Sequence, residues 1–154
     1  MPPPKYHIIY NWDGAPHGYS ETPQSMDAFL EKTYAPLKDT QVGAHFWCVG
    51  EHAARWDSDV LEMLGDVHNQ TYENAASYTF TENIRHMLER GEDPQQAVIE
   101  RGHDLGLHVY ASIRMNDNHF NGAQIDDLPS LNHTELTRLR IEHPEWLLGD
   151  QTSE

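Results

Sequence analysis

Basic side chains are scarce in this sequence, and their scarcity excludes two classes of partner. Lysine and arginine together number 10, against 25 aspartates and glutamates, so the formal net charge at pH 7 is −15. Nucleic acids and anionic membrane surfaces attract proteins through basic patches. The sequence therefore predicts neither a nucleic-acid-binding protein nor one that adheres to an anionic membrane.

Cysteine is also nearly absent, because Cys48 is the single one in 154 residues. One cysteine forms no internal disulfide, and its apolar neighbours indicate a small core side chain rather than a catalytic thiolate. No apolar run is long enough to span a bilayer, and the proline-rich start lacks the apolar segment of a secretion signal. We therefore expect a soluble, cytoplasmic protein, provided that Met1 is its natural start.

Several catalytic signatures are missing as well. The sequence has no Gly-x-Ser-x-Gly nucleophile elbow, no phosphate-binding loop and no dinucleotide fingerprint. It has no His-x-His, no His-Glu-x-x-His and no cysteine pair, which are common sources of metal ligands. We therefore predict neither a resident metal nor another cofactor.

The order of the predicted elements indicates a parallel α/β fold. β-Branched and aromatic runs predict strands over residues 6–10, 42–49 and 107–115. Capping signals and apolar spacing predict helices from Ser25, over 81–90, over 94–105 and from Asn132. Residues 51–78 lack periodicity and predict an inserted excursion with one helical turn near 60–64. Strands that alternate with helices are joined by parallel crossovers.

Polar and aromatic side chains cluster where the three predicted strands end. Parallel α/β folds bind ligands at the carboxyl ends of their strands, so these side chains are the candidate site. The candidates are Asn11, Trp12 and Asp13 after the first strand, His45, Trp47 and Glu51 on the second, and Arg114, Asn116, Asp117 and His119 after the third.

This mixture of side chains suits a carbohydrate. Carboxamides, carboxylates, an imidazole and a guanidinium both donate to and accept from hydroxyl groups, and an indole ring of Trp12 or Trp47 offers a flat face to a sugar ring. Asp13 is the one carboxylate that we consider for catalysis. Glu51 is a weaker second candidate, because nothing in the sequence pairs the two as glycoside hydrolysis requires. A metal site built from Asp117, His119 and Asp13 or His45 is an alternative.

Four segments resemble the bacterial glycosyl-hydrolase-like barrel proteins, many of which are described as family-10-like glycoside hydrolases. The segments are Tyr-Asn-Trp-Asp-Gly at 10–14, Gln-Val-Gly-Ala-His-Phe-Trp-Cys-Val-Gly at 41–50, Ala-Ser-Ile-Arg-Met-Asn-Asp with a histidine at 111–119, and Glu-His-Pro-Glu-Trp-Leu-Leu-Gly at 142–149. Together they extend over most of the chain.

The resemblance implies a (β/α)8 TIM barrel that acts on carbohydrate. Such a barrel needs roughly 250 residues, so residues 1–154 supply an incomplete one, with the first three strand–helix units. In related barrels the catalytic carboxylates follow the fourth and seventh strands. We therefore expect the N-terminal part of a glycoside hydrolase, which contacts substrate but lacks the catalytic pair and is inactive by itself.

Two other functions remain open from the sequence. The chain is alternatively a non-catalytic carbohydrate-binding or structural α/β module, or a metal-dependent hydrolase. An open parallel sheet leaves an apolar edge and one barrel face uncovered, so we also expect self-association through that edge.

Overall fold

The computed structural model describes residues 6–12, 21–50, 53–114 and 123–146. It confirms an α/β fold with a small parallel sheet of three strands, ordered β1-β2-β3. The strands are β1 (Ile8–Trp12), β2 (Val42–Gly50) and β3 (His108–Ile113). The helices are α1 (Met26–Tyr34), α2 (Ala75–Glu89), α3 (Pro94–Asp104) and α4 (Arg138–Glu142), and short 3-10 helices cover Ala35–Leu37, Asp66–His68, Ile125–Ser130 and Pro144–Trp146.

Two helices begin where their capping residues predict. The Ser25 side chain accepts a hydrogen bond from the backbone N–H of Ala28 and starts α1, and the 3-10 turn that contains Pro36 follows the end of this helix. Asp93 caps α3 by accepting from the N–H of Gln96. Side-chain caps satisfy backbone N–H groups that have no partner within a helix.

Helices pack on one face of the sheet, whose side chains alternate in direction. Trp12 and Trp47 are neighbours in register on this face, with the edge of Phe29 from α1 against Trp47 and Phe80 from α2 beside Trp12. The other face is partly open, since Ile9 is 54% exposed and Tyr110 is 38% exposed.

The α3 helix lies unusually close to the sheet at Gly102. A Cβ atom placed on this buried glycine would lie 2.3 Å from Cγ2 of Val109 on β3 and 2.8 Å from the Tyr34 hydroxyl. That hydroxyl donates a hydrogen bond of 2.6 Å to the carbonyl of Val98, so it is held in place on α3. The missing side chain therefore sets the distance between helix and sheet.

His45 lies in the middle of β2, rather than at its end as its candidate role requires. Its side chain is fully buried beside the rings of Tyr34, Tyr10 and Trp47. Nδ1 lies 3.4 Å from the Tyr34 hydroxyl, and Nε2 has no hydrogen-bond partner among the described residues. Burial lowers the pKa of His45 to about 4, so the ring is neutral near neutral pH.

The boundaries of three other elements differ from the predictions. β1 begins at Ile8 and includes Trp12, two residues later than expected. α2 begins at Ala75 rather than 81, because Asn74 caps it by accepting from the N–H of Ser77. No helical turn forms at 60–64; instead the backbone of Met63 pairs with Ala54.

The last helix begins at Arg138, not at Asn132 as predicted. Carboxylates of the segment before α2 hold the preceding backbone in a non-helical path: Glu73 accepts from the N–H of Thr134 at 2.8 Å, and Glu62 from that of Arg138 at 2.6 Å. Burial disfavours the charged form of Glu73, but hydrogen bonds from Thr134 and Ser77 outweigh it and lower its pKa.

Replacing Gly102 with alanine is expected to destabilise the protein by about 1–3 kcal/mol, because the new methyl group forces Val109 or Tyr34 to move. Alanine favours a helix interior over glycine by about 1 kcal/mol, so a clash-free site would give the opposite sign. Urea unfolding measures the change, with His103→Ala at the neighbouring exposed position as the control. A Gly102→Ala variant as stable as the parent would contradict the close approach.

His45 is expected to make stability fall as the pH drops from 6.5 towards 4. In that pH window His45 binds a proton in the unfolded chain but stays neutral in the folded chain. Acidification therefore favours unfolding. The free energy of unfolding is about 3 kcal/mol higher above pH 6.5 because of this histidine, and the difference is lost on acidification. Urea unfolding at several pH values should show a weaker pH dependence for His45→Phe, while His103→Phe follows the parent. Parallel curves for His45→Phe and the parent would exclude this role.

Candidate functional site

The two tryptophans predicted to contact a sugar contact each other instead. The indole rings of Trp12 and Trp47 stack with centroids 4.0 Å apart and an interplanar angle of 4°. They are 8% and 3% exposed. Trp12 lies within β1, directly beside Trp47 in register. The predicted strand ended at residue 10 and left Trp12 in the loop after it. As placed, the Trp12 face has no room for a ligand.

The remaining described candidates are dispersed. His45 is buried in the core, so we leave it out of the site. Asn11 on β1 and Arg114 after β3 are both exposed. Asn11 belongs to one edge strand and Arg114 follows the other, with β2 between them, so about 10 Å of sheet width separates them. Asp13, Glu51, Asn116, Asp117 and His119 lie outside the described residues.

A groove of about 540 Å³ adjoins the carboxyl-terminal half of β2 and the middle of β3. Its volume lies within the range of small-molecule sites. Its mostly apolar walls include Trp47 and Val49 of β2, Trp56 of the following loop, Leu88 of α2, Ile99 of α3 and Val109 of β3. Of the predicted site residues that the structure describes, Trp47 alone lines it.

The wall formed by Trp56 depends on the end of β2. A Cβ atom on Gly50 would lie 2.9 Å from the carbonyl oxygen of Ala53 and 3.2 Å from the Trp56 ring. The absent side chain therefore leaves room for the Ala53 carbonyl and lets the Trp56 indole lie against the strand. Trp56 is partly exposed, so one part of its ring is open to the groove.

Gln95 links the groove to the core. Its side-chain oxygen accepts a 2.8 Å hydrogen bond from Nε1 of Trp47, and its amide nitrogen donates to the carbonyl of Arg55 at 3.5 Å. The residue is fixed at the first turn of α3, whose start Asp93 caps. The same residue thus orients the core indole and the loop that carries Trp56.

Carboxylates supply the charge of the groove. Asp57, Glu92 and Asp93 line it, and no lysine, arginine or histidine does so among the described residues. Glu92 accepts hydrogen bonds of 2.8 Å and 3.0 Å from Arg90, and this guanidinium lowers the pKa of the Glu92 carboxyl. One oxygen of Asp93 accepts the helix-capping bond, whereas Asp57 is exposed. Unpaired negative charge is therefore concentrated on Asp57 and the second oxygen of Asp93.

Neither a metal centre nor a membrane span emerges in the part of the chain that the structure describes. Within it, no three histidine, cysteine, aspartate or glutamate side chains are grouped so that they could hold a metal ion. Over the same residues, every helix is too short or too polar to cross a bilayer.

Sequence reasoning missed most of this groove. It recognised residues 93–96 as a helix start but did not treat them as part of a site. A helix that precedes a parallel strand begins near the end of the sheet where ligands bind, so Asp93 and Gln95 carried a usable signal. Trp56 and Asp57 gave none, because they lie in a segment without periodicity.

Comparisons with known proteins identify no relative. No protein-family model matches the chain, and no curated protein is significantly similar to it.

Loss of the Gln95 hydrogen bond should destabilise the protein. In Gln95→Leu the buried Nε1–H of Trp47 loses its acceptor, which costs about 1–3 kcal/mol. Chemical unfolding gives the change, and Gln96→Leu on the exposed side of the same turn is the matched control. Equal stability of the two variants would show that this bond does not hold the groove wall.

Proposed function

We propose that this chain is the N-terminal part of a glycoside-hydrolase-like barrel and that its groove binds carbohydrate. The observation that supports this best is the groove itself, which combines an indole face with carboxylates beside β2 and β3. Sugar rings combine apolar faces with hydroxyl groups that donate to carboxylates. An aromatic wall beside acceptors suits both parts of such a ligand.

The architecture supports the barrel part of the proposal. Three parallel strands stand in sequential order, as in the first half of a TIM barrel, and helices cover one face. A closed barrel buries the other face, which here carries the exposed Ile9 and Tyr110. Self-association through the open edges of β1 and β3 stays a prediction.

The proposal assigns substrate contacts but no catalytic residue. Trp56, Asp57 and Asp93 contact the sugar in the groove. Hydrolysis of a glycoside usually needs two carboxylates about 5–9.5 Å apart, one acting as acid and the other as nucleophile or base. We expect the chain by itself to bind an oligosaccharide without cleaving it.

Replacing Trp56 with alanine is expected to weaken oligosaccharide binding by about threefold to tenfold, because the stacking face is lost. Isothermal titration calorimetry against a panel of neutral and charged oligosaccharides identifies a ligand and then compares the variants. Trp146→Ala is the matched control, because Trp146 is 64% exposed and stacks on His143, outside the groove.

Two outcomes would contradict the proposal. Failure of every oligosaccharide to bind the folded parent would remove carbohydrate from consideration. Equal weakening by Trp56→Ala and Trp146→Ala would place binding elsewhere. Chromatography of the incubated sugars tests the expected lack of cleavage: released products would indicate a hydrolase, whereas unchanged ligand fits both the barrel fragment and a binding module.

A further inference from the structure

We propose that the groove selects saccharides that carry a free, protonated amine over neutral ones. This inference rests on the proposed carbohydrate function and names the chemical class of its ligand. The site is defined by the apolar groove of about 540 Å³, and the charges on its wall decide which saccharide it prefers. Charge complementarity is the basis of the preference.

The ionic character of the groove favours a cation. Asp57 and Asp93 line it, and among the described residues no basic side chain lines it to neutralise them. Arg90 directly precedes the lining residue Gly91, and its guanidinium is paired with Glu92 through two hydrogen bonds. An ammonium group on the ligand would supply the charge that the protein itself does not.

The apolar walls strengthen that attraction. Leu88, Ile99 and the Trp56 indole border the same space as Asp57, and apolar surroundings lower the effective dielectric constant. The Trp56 ring also attracts a cation through its negative π face. A neutral sugar gains the stacking contact but neither the attraction to the carboxylates nor that to the Trp56 π face. Amine-bearing saccharides should therefore bind more tightly than neutral ones.

The charge of the whole chain acts in the same direction. With a formal net charge of −15, the protein repels acidic saccharides such as uronates and steers cationic ones towards it. This attraction by the net charge of the chain does not depend on any single carboxylate, however. Selection within the groove must therefore be shown with variants that change single charges.

The test compares three oligosaccharides of equal length and linkage: a glucosamine oligomer, its N-acetylated counterpart and a glucose oligomer. Calorimetric titration of the full chain near pH 6, where the amines are protonated, should give the glucosamine oligomer an advantage of about threefold to tenfold. Raising the salt from about 50 to about 500 mM should reduce that advantage and leave neutral ligands unaffected.

Two charge-neutralising variants locate the effect. Asp57→Asn removes one carboxylate, and Asp93→Asn removes the other while keeping a good helix cap. Each should lower affinity for the glucosamine oligomer more than affinity for the neutral oligomers, because the neutral ligands lose one hydrogen-bond acceptor but no charge pairing. Asp59→Asn is the matched control, because Asp59 is exposed nearby but does not line the groove.

The outcomes separate the two proposals. Equal binding of all three oligomers would overturn amine selection and leave the carbohydrate function standing. Equal losses in Asp57→Asn and Asp59→Asn would also overturn it, because bulk charge would then be responsible. Failure of all three oligomers to bind the folded protein would remove both proposals together.

Discussion

The stacked indoles of Trp12 and Trp47 are the contact on which the rest of the structure depends. They join the ends of β1 and β2, and Phe29 of α1 and Phe80 of α2 pack beside them. Trp47 also donates to Gln95 at the start of α3 and forms part of the groove wall. A candidate site supported by the core in this way is pre-organised, because its wall moves only if the core moves.

A second constraint fixes the third helix against the same strands. Gly102 lets α3 approach β3, and the Tyr34 hydroxyl between them binds the carbonyl of Val98. The Asn83 amide on α2 likewise binds the loop before α1, accepting from the N–H of Gln24 at 2.7 Å and donating to the carbonyl of Glu21 at 3.0 Å. Buried polar groups with satisfied partners thus set the spacing between elements, while apolar side chains fill it.

Local signals in the sequence predicted the order of the strands and the starts of α1 and α3, because a cap or an apolar run acts over a few residues. The Asp93 cap, the β2 strand and the end of α3 at Gly106 followed directly from such signals. Contacts between distant residues were not predictable. Glu73 and Thr134 are far apart in sequence, yet their hydrogen bond decides where α4 cannot begin.

The candidate site shows the same division. Sequence reasoning placed the candidates at the carboxyl ends of the strands, where parallel α/β folds bind ligands, and this placement stays a prediction. It did not predict that Trp12 would lie inside β1 and be covered by Trp47. The observed strand ends two residues later than the predicted one, and those two residues decide whether the Trp12 ring stacks on a neighbouring strand. Trp56 and Asp57 reach the groove through an irregular segment, whose path only tertiary contacts define.

The single cysteine gives this fold an internal reporter. Cys48 lies on the central strand, is 1% exposed, and has its thiol near the carbonyl of Gly50 at 3.6 Å. A thiol reagent reaches it only when the sheet opens, so the rate of alkylation measures how often the native state opens around β2. Because the sequence has no second cysteine, every modified molecule reports the same event at the same strand.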